Sequence, residues 1–237
     1  MMKNKHILTL IFLLSSLLAI SQVPKGAWKS QEPTGSASTL IVADNYMVIA
    51  SYSVGNKYFE RTEGGPFTIS GDQMTYTPEF NSADTSKIGI PIVFTVIVKD
   101  DILTLKYEEA MVWMRVDDAT NVPMAGAWHI TERANDGQGG LVQIHQEGTR
   151  KTLKLLSGTR FQWFAIDPAV KGFYATGGGI YIAKNGQYTE NIQFFSKDNN
   201  RVGSSLKFNY KLDNGKWDHS GKSSDGKPVH EVWEKIQ

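Results

Sequence analysis

Gly126-Ala127-Trp128 opens the second half of the chain, and Gly26-Ala27-Trp28 stands one hundred residues before it. A repeated tripeptide is weak evidence alone. It gains weight from landmarks that follow both copies in the same order. Thr39-Leu40 is matched by Thr152-Leu153, and Glu63-Gly64-Gly65 by Thr176-Gly177-Gly178. Tyr76-Thr77 is matched by Tyr188-Thr189, and Phe80-Asn81-Ser82 by Phe194-Phe195-Ser196. Asp84 precedes Gly89 as Asp198 precedes Gly203. Each half closes on a tryptophan in an alternating segment, Val112-Trp113-Met114-Arg115 and Val232-Trp233-Glu234-Lys235. The chain therefore reads as a duplicated unit: residues 22–117, a linker over 118–123 ending in Pro123, and residues 124–237.

Both units read as strand. Apolar and polar residues alternate with period two over 161–166, 206–212 and 229–236. Ile90 to Val98 is an almost continuous apolar run, which predicts a strand buried on both faces. Turn signals fall between the runs at Asp136-Gly137, Asn185-Gly186, Asn214-Gly215 and Asp225-Gly226. Thr104 to Arg115 could be helical by composition, but its counterpart in the second unit alternates, so strand is expected there too. The spacing allows about eight to ten short strands per unit, as in a sandwich or barrel.

The bulk composition excludes some functions. Basic and acidic residues number 25 and 24, for a net charge of +1. Such a balance lacks the basic face a nucleic-acid binder needs, so no nucleic-acid partner is expected. Lys3 and Lys5 precede the apolar run Ile7 to Ile20, and Ala19-Ile20-Ser21 puts small residues where a signal peptidase reads. Residues 1–21 are therefore expected to be a signal peptide cleaved after Ser21. The run is short of the ~20 residues that span a bilayer as a helix, so no stable membrane insertion is expected after cleavage. There is no cysteine, which excludes a lipid-carrying cysteine and leaves core area alone to stabilise the fold. A bacterial protein, secreted or periplasmic, fits best.

A Gly-x-Trp opening the first strand of an exported antiparallel barrel resembles the lipocalins and their relatives, the calycins. The second unit more specifically resembles lipocalin-like domains of exported Bacteroidetes-type proteins of unknown function. It does so through Tyr188-Thr189-Glu190, Phe195-Ser196-Lys197-Asp198, Arg201-Val202-Gly203, Lys216 to Gly221 and His230-Glu231-Val232-Trp233. The resemblance implies two antiparallel lipocalin-like β-barrels in tandem. It also implies that each opening Trp closes one barrel end under a basic side chain from the last strand, Arg115 over Trp28 and Lys235 over Trp128.

Candidate chemistry concentrates in the second unit. Gly177-Gly178-Gly179 precedes a strand, not a helix, and so reads as a barrel corner or bulge and not a phosphate cradle. Ser220-Gly221-Lys222-Ser223 lacks the earlier glycine and the helix of a phosphate-binding loop. Four of the five histidines, His129, His145, His219 and His230, fall here. None has metal-ligand spacing, and no metal or cofactor is expected. His219 and His230 could transfer protons near neutral pH. If Trp217 points inward so does His219, and if Trp233 does so does Glu231, because side chains alternate. The aligned positions of the first unit carry Leu103, Leu105, Met111 and Trp113. Either a polar pocket is built in the second unit, or its charged groups point outward and pair across the sheet. The expected ligand-binding residues are Trp163, Tyr181, Trp217, His219 and Glu231, with Arg201 near a loop, and Trp217, His219 and Glu231 should converge on one cavity. The ligand would be a small apolar molecule or a sugar. The alternatives are an acid/base enzyme using His219 and Glu231, such as an isomerase, cyclase or glycan-processing lyase, and a cell-envelope interaction protein without a pocket. No nucleophile elbow or cysteine supports covalent hydrolysis.

Overall fold

The computed structural model describes residues 25–31, 36–134, 140–144 and 148–236. The expected signal segment, the Asp136-Gly137 turn and His145 lie outside the described residues. The first half forms β1 (Gly26–Gln31), β2 (Ala37–Ala43), β3 (Tyr46–Ser53), β4 (Tyr58–Ser70), β5 (Gln73–Tyr76), β6 (Phe80–Asn81), β7 (Ile92–Lys99), β8 (Ile102–Lys106) and β9 (Ala110–Asp117). The second forms β10 (Gly126–Ala134), β11 (Leu141–Gln143), β12 (Lys151–Leu156), β13 (Arg160–Asp167), β14 (Gly172–Lys184), β15 (Gln187–Phe195), β16 (Ser205–Asp213), β17 (Lys216–Lys222) and β18 (Pro228–Lys235). Thr104 to Arg115 is strand, as expected. Among the described residues no helix is long and apolar enough to cross a membrane.

Each half closes on itself. β1 pairs with both β2 and β9, and β3 pairs with β4, so β6 alone of the first nine strands stays outside the ring. β10 pairs with β12 and β18 in the same way, leaving β11 outside. The protein is thus two closed eight-stranded antiparallel barrels in tandem. Closure removes the free edges that an open sheet would expose. The Asn-Gly turns do what their chemistry demands: Asn185 and Gly186 both have positive φ, as do Asn214 and Gly215, and each joins two strands as a tight hairpin.

The strand registers make the duplication explicit and correct its alignment. Trp28 faces Leu40 across β1–β2, and Trp128 faces Lys154 across β10–β12. Gly64 faces Phe80, and Gly178 faces Phe194. Leu103 faces Trp113, and Trp217 faces Trp233. From Leu40 to Leu105 every residue corresponds to the one 114 positions later. The Thr-Leu and Gly-Gly landmarks of the sequence are therefore one residue out of register, and Tyr76-Thr77 against Tyr188-Thr189 is two out. The phenylalanine landmark and the Asp-to-Gly turns are aligned as expected. Those turns are equivalent 3-10 turns, Thr85–Lys87 and Asn199–Arg201, each capped by an aspartate that accepts a backbone N–H two residues on.

The expected plugs are present. The Arg115 guanidinium lies 4.2 Å from the Trp28 ring centre, and the Lys235 ammonium 5.5 Å from that of Trp128. The strand containing most of Ile90 to Val98 is not buried on both faces. Phe94 and Val96 face the core, whereas Val93, Ile97 and Val98 are exposed. β7 lies on a barrel wall whose outer side meets solvent, so its apolar run is denser than its burial requires.

The barrels pack through the outer faces of β2–β3 and β12–β13. Ile41, Val48 and Phe80 meet Leu153, Leu155, Phe164 and Ile166 there. Two equivalent exchanges tie them. Phe80 reaches from the first barrel to Phe164, at 4.7 Å between ring centres, and its counterpart Phe194 reaches back to Tyr52, at 4.6 Å. Between them the Gln162 amide donates to the hydroxyls of both Thr62 and its counterpart Thr176, at 2.8 and 3.0 Å. Gln162 is thereby placed in the interface, while its neighbours Phe161 and Trp163 point into the second barrel.

Candidate functional site

β17 and β18 build the site in layers. Their register pairs Trp217 with Trp233, then His219 with Glu231, then Gly221 with Val229. Alternation sends Trp217 and His219 to the same inner face. Both are buried, as is Trp233, while Glu231 is partly exposed. Trp128 and Lys235 close the end beneath these tryptophans. Above them a cavity of about 310 Å³ is lined by His219, Glu231, Lys154 and Glu190 among a mostly apolar wall that includes Trp163, Phe195 and Phe208. That volume is at the small end of the ~300–1,000 Å³ usual for ligand pockets.

Four ionisable groups thus share one apolar interior. Lys154 and Glu190 are both buried and form an ion pair at 3.0 Å. The Lys154 ammonium also lies 4.9 Å from the ring centres of Trp217 and Trp233, 5.7 Å from Tyr188 and 5.9 Å from Phe161. Ring faces replace part of its lost hydration. The His219 ring packs on Phe208, 4.1 Å between centres, and stands edge-on to Trp217. Its Nδ1 is 3.5 Å from Glu231 Oε2, too poorly placed for a formed hydrogen bond, and Nε2 has no partner either. Glu231 accepts the indole N–H of Trp233 at 3.0 Å.

Environment sets the charges. Burial holds the His219 imidazole below its ordinary range, outweighing the nearby carboxylates of Glu231 and Glu190. Burial pushes Glu231 up, but His219, Lys154 and the Trp233 N–H together hold it below the usual value. Burial and the Glu190 carboxylate keep the Tyr188 phenol protonated. The folded protein therefore refuses a proton at His219 that the unfolded chain accepts below its ordinary value of 6.5. Stability rises with pH wherever the unfolded state binds more protons, so it declines as pH falls from 6.5 toward the lower folded value. Thermal unfolding followed from about pH 7.5 to 5 should show that decline. His219→Leu, which installs the first barrel's residue Leu105, should flatten it. An unchanged slope in this variant would assign the titration to another group.

Of the residues expected from sequence, Trp163, His219 and Glu231 line the cavity. Trp217 does not: it stands behind His219, completely buried. Tyr181 lies deeper, its hydroxyl donating to the Ser157 carbonyl at 2.6 Å. Arg201 sits on its 3-10 turn and pairs with Asp198 at 3.1 Å, away from the cavity lining. His230 is on the opposite face of β18 from Glu231, 3.1 Å from Asp218, so the His219–His230 pair does not form. Lys154 and Glu190 were not singled out in the sequence. Lys154 does carry a signal, a charged residue between two leucines on an inward face, but the one-residue slip in the repeat alignment set Leu40 against Leu153.

The glycine run has a structural use. A Cβ on Gly177 would meet both Trp163 and Phe195 within 2.9 Å, so its absence lets these two rings form their edge-to-face pair at the cavity wall. A Cβ on Gly178 would meet the Phe161 carbonyl and Phe194 at 2.5 Å, and the ladder is bulged immediately after it. Among the described residues no group of three or more His, Asp or Glu could hold a metal ion.

The first barrel is the internal comparison. Leu40, Tyr76, Leu105 and Met111 occupy the register positions of Lys154, Glu190, His219 and Glu231. Leu40, Tyr76 and Leu105 are buried in its apolar core. No curated protein matches the chain. Residues 123–237 match the family model described as a domain of unknown function, DUF4488, so the recorded similarity coincides with the barrel that carries the charged cavity.

Proposed function

We propose that the second barrel of this exported protein binds a small molecule in the cavity around His219 and Glu231, and that the first barrel is its scaffold. One observation carries this reading. At three equivalent positions a buried apolar or aromatic filling is replaced by Lys154, Glu190 and His219, at a fourth the exposed Met111 by Glu231, and all four ionisable groups line one cavity. Burying such groups is costly unless something meets them, and His219 is left without a hydrogen-bond partner. The accessible surface of the wall is mainly apolar. This favours an apolar body with one polar end over a sugar, whose hydroxyls need partners on every side.

The neutral uncharged probe N-phenyl-1-naphthylamine tests the reading. Its fluorescence should rise on binding the native protein. Leu206→Trp, which fills the cavity from β16, should weaken binding about tenfold or more, equivalent to ~1.4 kcal/mol. Equal binding by the filled variant would move the site elsewhere, and no binding by the native protein of this probe or of the indole probes described below would end the proposal. His219, kept neutral by burial with Glu231 3.5 Å away, also gives the cavity a base beside an acid. That second reading predicts turnover of the bound molecule lost in His219→Leu.

A further inference from the structure

The charges inside the second barrel do not balance. Lys154 and Glu190 neutralise each other. Glu231 receives one indole N–H, and among the described residues no lysine or arginine lies within ion-pair distance of it. Beside it His219, 3% exposed, has neither ring nitrogen bonded. Its Nδ1 stands 3.5 Å from the carboxylate, and burial disfavours a charge on the ring, so His219 does not neutralise Glu231. The unmet group at the cavity is therefore a carboxylate. It calls for a donor, and its negative charge calls for a positive one.

The walls suit a cation as well. The barrel already surrounds one ammonium, that of Lys154, with four rings. Trp163, Phe195 and Phe208 offer further ring surface on the cavity side. A ligand ending in a carboxylate would instead bring its charge against Glu231 and Glu190, with the already paired Lys154 as the only offset. Resting on the small-molecule reading above, we propose that the ligand is a compact organic cation, a protonated amine on an apolar body, whose ammonium donates to Glu231.

Three probes sharing one ring isolate the charge: tryptamine, neutral 3-methylindole and indole-3-propionate, titrated calorimetrically into the native protein near pH 7.5. Tryptamine should bind about tenfold or more tightly than 3-methylindole, the scale of one charge-assisted hydrogen bond. Indole-3-propionate should bind most weakly. Glu231→Gln should erase the advantage of tryptamine over 3-methylindole. Binding of indole-3-propionate as tight as that of tryptamine, or an advantage that survives Glu231→Gln, overturns the inference. So does binding of N-phenyl-1-naphthylamine with none of the three indoles, in which case the small-molecule reading stands without it. If none of the four binds, both fall together.

Discussion

Lys154→Met is expected to lower stability by about 3–5 kcal/mol, and Glu190→Gln to do similar damage, because each leaves a buried group without its partner. The pair is 3.0 Å apart and both side chains are nearly inaccessible. Desolvation of an ion pair is large, and attraction offsets it only while both members are present. The double variant Lys154→Leu/Glu190→Tyr should therefore recover most of the loss. It installs the residues found at Leu40 and Tyr76, which the first barrel buries without any ion pair. Urea unfolding followed by tryptophan fluorescence measures all three. If the single variants cost under about 1 kcal/mol, or the double variant is as unstable as their sum, the pair is not the buried unit described here.

Phe164→Ala is the second large effect, at about 3–5 kcal/mol. Phe164 is completely buried and meets Phe80 and Tyr46, both from the other barrel. The cavity left behind lies in the seam between barrels, so it weakens their coupling as well as one core. Calorimetry should show one cooperative transition for the native protein and a broadened or split one for the variant. A sharp single transition shifted only slightly would mean that the barrels are held together elsewhere, for instance by the Asp117 carboxylate that accepts the N–H groups of Gly158 and Thr159.

The fold was legible because it is written twice. Period-two alternation gave strands, the Asn-Gly pairs gave hairpins, and the resemblance of the Gly-x-Trp openings to lipocalins implied the closed ends under Arg115 and Lys235. What a sequence does not display is register. Similar residues such as Thr39-Leu40 and Thr152-Leu153 attract each other in an alignment, yet a shift of one residue exchanges inner and outer faces. That slip hid Lys154. By contrast His219 and Glu231 were legible, since each shares a strand face with a tryptophan that must be inside. Trp217 and Tyr181 were placed at the pocket for the same reason, but facing inward is not the same as lining a cavity. Both are packed beneath other rings. The apolar run of β7 misled in the opposite sense, because composition does not reveal which side of a barrel wall meets water.

The seam between the barrels has an evolutionary reading. Two identical chains meeting about a two-fold axis must use the same surface twice. Here equivalent places have diverged: Phe164 stands where the first barrel has Ala50, and Gln162 where it has Val48. One glutamine serves two related threonines, an arrangement that a pair of identical subunits would have to duplicate on the axis. Joining the copies in one chain released each from the other's sequence. The same freedom lets one copy hold an apolar interior while the other lines a cavity with ionisable groups.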